Sequence, residues 1–232
     1  MVEPTETGIL AGTAEELYGP LNDVERKNAP PRFWLQGDVE LLRRGQRVAV
    51  VGSRSPSPAG QQRAAQLARK LASEAITVVS GLALGIDTIA HRTAMAAGGR
   101  TIAVLGTPLD ECQPRQNAGL QEQIGHDHLL VSQFPPGHPV LRSNFPRRNR
   151  TMALVCHASV IVEAGESSGT LSQGWEALRL GRPLFLLKSV VDNPDLNWPR
   201  EMLEYGAFVL ADFEELLDLL PAADLPVEAL AF

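Results

Sequence analysis

The segment "NFPRRNRTM", residues 144–152, sets Arg147, Arg148 and Arg150 almost together behind an aromatic residue and a proline. Guanidinium groups so clustered suit phosphate, because their planar fork of N–H donors matches an oxyanion. The same cluster also suits a solvated helix end, or ion pairs with the chain's own carboxylates. Asn149 adds a neutral hydrogen-bonding group between the charges, and Pro146 fits the entry of a helix. Matching chemistry recurs in three loops: "GSRSPS" (52–57), "SGLALGID" (80–87) and "EAGESSGT" (163–170). Glycine lets backbone N–H groups approach a ligand, and a helix start adds partial positive charge. Ser80 and Gly81 are candidate phosphate donors in the second loop, Ser168, Gly169 and Thr170 in the third. Arg54 supplies a fixed charge from the first. Such loops also serve as plain tight turns, but three of them point to a nucleotide or nucleic-acid ligand.

The elements that hold these loops follow from periodicity. Short apolar, β-branched runs at 47–52, 76–80, 100–106, 128–134, 158–165 and 183–188 read as buried strands. Between them, helices are expected at 59–75, 86–98, 118–124, near 146–156 and at 169–181. Strands alternating with helices give an α/β fold, a doubly wound and mostly parallel sheet. Ligands of such sheets bind beyond the carboxyl ends of the strands, where strand order reverses. The candidate loops all follow strands. Neither GxGxxG nor GxxxxGK[ST] occurs, which argues against a dinucleotide dehydrogenase or a P-loop NTPase.

Taken together, "VAVVGSR" (48–54), "VVSGLALGIDTIAH" (78–91), "GGRTIAVLGTPLD" (98–110), "PRQNAGL" (114–120), "FPRRNR" (145–150) and "VIVEAGESSGTL" (160–171) resemble the DprA/Smf family. The resemblance implies an extended Rossmann-like domain of the SLOG superfamily that binds single-stranded DNA and helps to load RecA. It also implies a homodimer, a role in DNA recombination or natural transformation, and no reaction of its own. By that analogy Arg54, Arg147, Arg148 and Arg150 line the DNA pocket. Ser53, Ser80, Gly81, Gly85, Asn149, Ser168, Gly169 and Thr170 complete the phosphate-binding set.

"SSGTLSQGWEA" also resembles the glycine–threonine loop of LOG-like phosphoribohydrolases, which cleave nucleoside 5'-monophosphates. Those enzymes use a carboxylate three residues after the threonine; here that position is Gln173, and Glu176 matches a second family carboxylate. A nucleotide-sensing module is the third possibility. Gln173 and Glu176 are thus the catalytic candidates of the alternative reading.

The remaining residues support plainer roles. Asp87 charges a helix start with His91 packed near it, and Trp175 and Trp198 are core residues with Trp175 the better candidate for stacking on a base. His126 and His128 lack a third metal ligand. The 212–220 stretch is a docked helix with an acidic outer face. Cys112 and Cys156 stay reduced. The 232 residues carry a formal charge of -6 and 5% aromatics, so DNA binding would be confined to one basic groove. Expected organisation is a tail or partial helical segment over 1–30, the Rossmann-like domain over 31–220 and a tail over 221–232. No cofactor, metal or membrane span is expected, and the location is cytoplasmic.

Overall fold

The computed structural model describes residues 3–4 and 9–222. Ten strands form one sheet: β1 (Glu3–Pro4), β2 (Leu10–Gly12), β3 (Phe33–Gly37), β4 (Arg47–Gly52), β5 (Thr77–Ser80), β6 (Thr101–Leu105), β7 (Leu129–Ser132), β8 (Ala158–Glu163), β9 (Leu184–Leu187) and β10 (Phe208–Leu210). Their spatial order is β1-β2-β3-β7-β6-β5-β4-β8-β9-β10. From β7 through β10 every neighbouring pair is parallel, whereas β3 pairs antiparallel with β7 and carries β2 and then β1. This is the expected doubly wound α/β fold. The chain winds outward from β4 to β7, then returns to the other side of β4 with β8. That reversal opens a crevice between the carboxyl ends of β4 and β8.

Alternation along β4 shows how the sheet is covered on both faces. Val48 and Val50 pack into one cluster with Ala64, Leu67 and Leu71, while Ala49 and Val51 pack into the opposite one with Met152, Leu154 and Ala177. Each fully buried Val or Leu contributes roughly 1.5–3 kcal/mol. The helix Pro58–Ser73 starts on Ser57, whose Oγ accepts from the Gly60 N–H at 3.0 Å, with proline at its first position.

The amino-terminal part is built of short elements. Phe33, Trp34 and Leu35 form a strand, with Leu35 opposite Val131 and Trp34 opposite Ser132. Thr13 with Glu16, and Asn22 with Glu25, make reciprocal capping boxes for the helices Ala14–Tyr18 and Asp23–Asn28. Leu17, Tyr18 and Leu21 are buried in the core. Of the expected carboxyl-terminal tail, residues 223–232 lie outside the described residues. Among the described residues no helix is long and apolar enough to cross a membrane.

Candidate nucleic-acid interface

Two adjoining cavities, of about 520 and 730 Å³, open at the carboxyl edge of the sheet. Arg54, Ala83, Phe145 and Arg148 line both. The first cavity sits at the strand-order reversal, between Gly52–Ser55 after β4 and Gly165–Thr170 after β8, with Asn149 and Gln173 on its walls. The second extends toward the loop after β6 through Gln113, Pro114, Arg115 and Gln116.

Arg148 is the fixed charge of this edge. Its guanidinium is buried and donates through Nη1 to the carbonyls of Gly81 and of Val104, the latter at 2.9 Å, and through Nε to Asn149 Oδ1 at 3.0 Å. Burial pushes its pKa down while the nearby Asp87 carboxylate opposes that shift. Asp87 is buried in turn, and burial raises its pKa against the Arg148 charge and the hydrogen bonds from the Ala83 and Gly81 N–H groups. Asp87 therefore does more than charge a helix start; its Oδ2 accepts from the Gly81 and Ala83 N–H groups at 3.1 and 3.3 Å and holds the second loop beside Arg148. Asn149, pinned by Arg148, donates to the Gly169 carbonyl at 3.3 Å and so ties the arginine helix to the third loop.

Arg54 differs from Arg148 in being exposed. Among the described residues its guanidinium has no ion-pair or hydrogen-bond partner, and the residue lines both cavities. The loop that carries it is held from both sides. The Ser53 N–H donates to the Glu163 carbonyl at 2.7 Å, and Glu163 Oε1 and Oε2 accept from Ser57 N and Oγ at 2.7 and 2.6 Å. Gly85 has φ +77°, and a Cβ there would come within 2.3 Å of the Ser53 carbonyl oxygen. Its role is close packing of two loops, and its own position lies outside both cavity linings.

The other sequence candidates separate. Ser53, Ser168, Gly169 and Thr170 line the first cavity. Ser168 Oγ accepts from the Thr170 N–H at 3.2 Å, and Thr170 Oγ1 donates to the Gly52 carbonyl at 3.0 Å, bridging the loops after β4 and β8. Ser80 is fully buried and donates to the Val50 carbonyl at 2.7 Å. The Gly81 N–H is occupied by Asp87 at 3.1 Å. Arg147 lies exposed over the Phe134 ring at 5.2 Å, and Arg150 pairs with Glu176 at 3.3 Å; neither lines either of these two cavities.

Glu176 also pairs with Arg179, so two guanidiniums neutralise it. Gln173 is buried and donates to Ser159 Oγ at 3.2 Å. Neither residue is arranged as a free acid or base. Trp175 packs edge-on against Tyr205 at 5.3 Å, away from both cavities.

Sequence reasoning missed Phe145, Gln113, Arg115 and Gln116. The "PRQN" stretch was the available signal. Asn117 is buried and donates to the Leu82 carbonyl at 2.8 Å and to Thr88 Oγ1 at 2.9 Å, which fixes that stretch beside the second loop. The two cavities thus hold Arg54, Arg115 and Arg148 against the single carboxylate of Asp87. A chain of net negative charge keeps a local cationic groove here.

Residues 11–221 match the model of the family described as DNA recombination-mediator protein A. The chain belongs to this family. It is 39% identical to the DNA processing protein DprA of Streptococcus pneumoniae over 81% of its own length and 68% of that protein's. With the DprA of Bacillus subtilis it shares 31% identity over 83% of its own length and 65% of the relative's. The chain thus spans about two thirds of these DprA relatives. A solved DprA structure from Helicobacter pylori, titled for its single-stranded DNA binding mode, superposes with a TM-score of 0.74 at 28% identity. That match covers 90% of this chain and 94% of the Helicobacter chain.

Proposed function

We propose that this DprA-family chain binds single-stranded DNA along the carboxyl edge of its sheet. The observation that carries the reading is the unpaired, exposed Arg54 standing where the two cavities meet, backed by the buried Arg148. One backbone phosphate sits in the first cavity between Arg54 and the Ser168–Thr170 loop. Phe145, half-buried and lining both cavities, offers a ring face to the adjacent base in the second. Arg147, exposed, meets the strand outside the cavities. The single-stranded DNA named for the Helicobacter relative supports this ligand class.

The chain acts in DNA processing or recombination as a binding protein rather than a hydrolase, in the cytoplasm, and aids RecA loading. It works as a homodimer, for which the exposed Tyr205, Phe208 and Leu219 near the β10 edge offer an apolar contact. Fluorescence anisotropy with a labelled oligonucleotide, competed by unlabelled single strand or by AMP, tests the central reading. Displacement by single strand and not by AMP is expected. Tight AMP binding without DNA binding would overturn it and favour a nucleotide module.

A further inference from the structure

At the opposite end of the sheet, beyond the amino ends of β4, β8 and β9, lies a separate cavity of about 150 Å³. Tyr18, Glu25, Arg47, His157 and Arg182 line it. It has room for about five waters at roughly 30 Å³ each, and it is too small for a nucleoside.

The hydrogen bonding of His157 leaves a mismatch. The Arg47 backbone N–H donates to His157 Nδ1 at 3.0 Å, so Nδ1 is the accepting, unprotonated nitrogen. A neutral imidazole then carries its proton on Nε2. Nε2 stands 3.2 Å from Arg47 Nη2, which is also a donor. Two donors face each other with no acceptor to serve them. The rest of the Arg47 guanidinium is accounted for: Nε donates to the Val155 carbonyl at 2.7 Å and Nη1 to that of Gly45 at 3.2 Å.

Further donors belong to the same walls. The Tyr18 hydroxyl and Arg182 Nε are buried with no hydrogen-bond partner. Tyr18 as a whole is only 7% exposed. Glu25 pairs with Arg182 Nη2 and accepts from the Asn22 N–H at 3.0 Å. The lining's one carboxylate is thus already engaged by Arg182. Burial holds His157 neutral, down to about 2, with the two arginine charges acting in the same direction. The walls therefore present the facing donors Arg47 Nη2 and His157 Nε2, carry the unpartnered Tyr18 Oη and Arg182 Nε, and hold one carboxylate, Glu25, which Arg182 and Asn22 already engage.

We infer that this cavity binds a small inorganic oxyanion of the phosphate or sulfate class. Such an ion is negative, rich in acceptors and small enough to enter. It would resolve the clash of donors between Arg47 and His157 and add an acceptor beside the Arg182 charge. Nothing in this inference depends on DNA binding at the other edge.

The test is a phosphate titration of the full chain at constant ionic strength, repeated with sulfate, reading the His157 ring nitrogens by ¹⁵N NMR. A saturable shift of the His157 Nε2 resonance is expected in wild type and in Arg54→Ala, which removes the exposed charge at the DNA edge. In Arg182→Gln the half-saturating concentration should rise about tenfold or more, the scale of one hydrogen bond to a charged group. Tyr18→Phe, which deletes one donor and keeps the ring, should weaken binding less. An unchanged His157 signal with both anions means water alone fills the cavity and overturns the inference, whether or not the variants fold. An equal response in Arg182→Gln also overturns it.

Discussion

Gly81 lies so close to Arg148 that a Cβ on it would come within 1.8 Å of Nη1. The glycine of the "SG" pair makes room for an arginine, and its N–H serves Asp87. Gly81→Ala should therefore displace the guanidinium and its bonds to Gly81 and Val104. The expected cost is about 1–3 kcal/mol of stability, the range for overpacking a filled interior. Chemical denaturation measures it, and oligonucleotide binding should fall in the same variant. A Gly81→Ala protein with wild-type stability would show that Arg148 can move freely.

Arg150 and Arg54 should respond differently to alanine. Arg150 is already engaged by Glu176, and such partly exposed pairs contribute about 0–1 kcal/mol. Arg150→Ala should leave single-stranded DNA affinity within about twofold of wild type, well under the effect of one lost phosphate contact. A loss as large as that from Arg54→Ala would mean that Arg150 leaves Glu176 to reach the ligand.

Gln173→Glu restores the carboxylate that the hydrolase reading requires, but places it in a buried site beside Ser159. The variant should show no nucleotide hydrolysis and lose about 1–3 kcal/mol, the scale for a buried polar group left without its partners. Release of ribose 5-phosphate from AMP is the readout. Hydrolysis by the variant would revive the enzymatic reading.

Stability should also fall in acid through His91. Its Nδ1 lies 2.6 Å from Thr101 Oγ1, and that hydroxyl donates to the Val78 carbonyl at 2.8 Å, so the imidazole is the donor through Nδ1. Its Nε2 is buried without a partner, and burial lowers the pKa from 6.5 to about 3. The unfolded chain therefore binds this proton more readily than the folded one. The associated stability is present in full above about pH 6.5 and is lost as pH falls toward 3, with a slope approaching 1.4 kcal/mol per pH unit. Urea melts from pH 7 to 4 on wild type and His91→Gln should converge as pH falls. Parallel curves would remove His91 as the cause.

Much of the fold was legible because the parallel strands are near-continuous apolar runs. "RVAVVG" and "ASVIVE" could hardly be anything else. The β3 strand was not, because "FWLQG" is no continuous apolar run and its last two residues are exposed. The helices Ala14–Tyr18 and Asp23–Asn28 fall where only a tail or partial helical segment was legible, because they are short and their polar caps dilute any periodicity.

The arginine cluster shows the limit at the site. Successive helix residues point about 100° apart, so Arg147, Arg148 and Arg150 cannot share a face. Arg148 turns inward, Arg147 to Phe134 and Arg150 to Glu176. The second cavity was illegible for another reason. Gln113, Arg115 and Gln116 come to Phe145 only through the sheet order that brings β6 beside β5.

The most direct measurement of the DNA-binding account is the affinity for a single-stranded oligonucleotide at a series of salt concentrations, for wild type and Arg54→Ala. Each phosphate neutralised on a single strand contributes about −0.7 to the slope of log K against log salt. Wild type should show a linear, negative slope, and Arg54→Ala weaker binding with a slope shallower by about 0.7. A wild-type affinity independent of salt, or identical slopes for the two proteins, would contradict a phosphate held by Arg54.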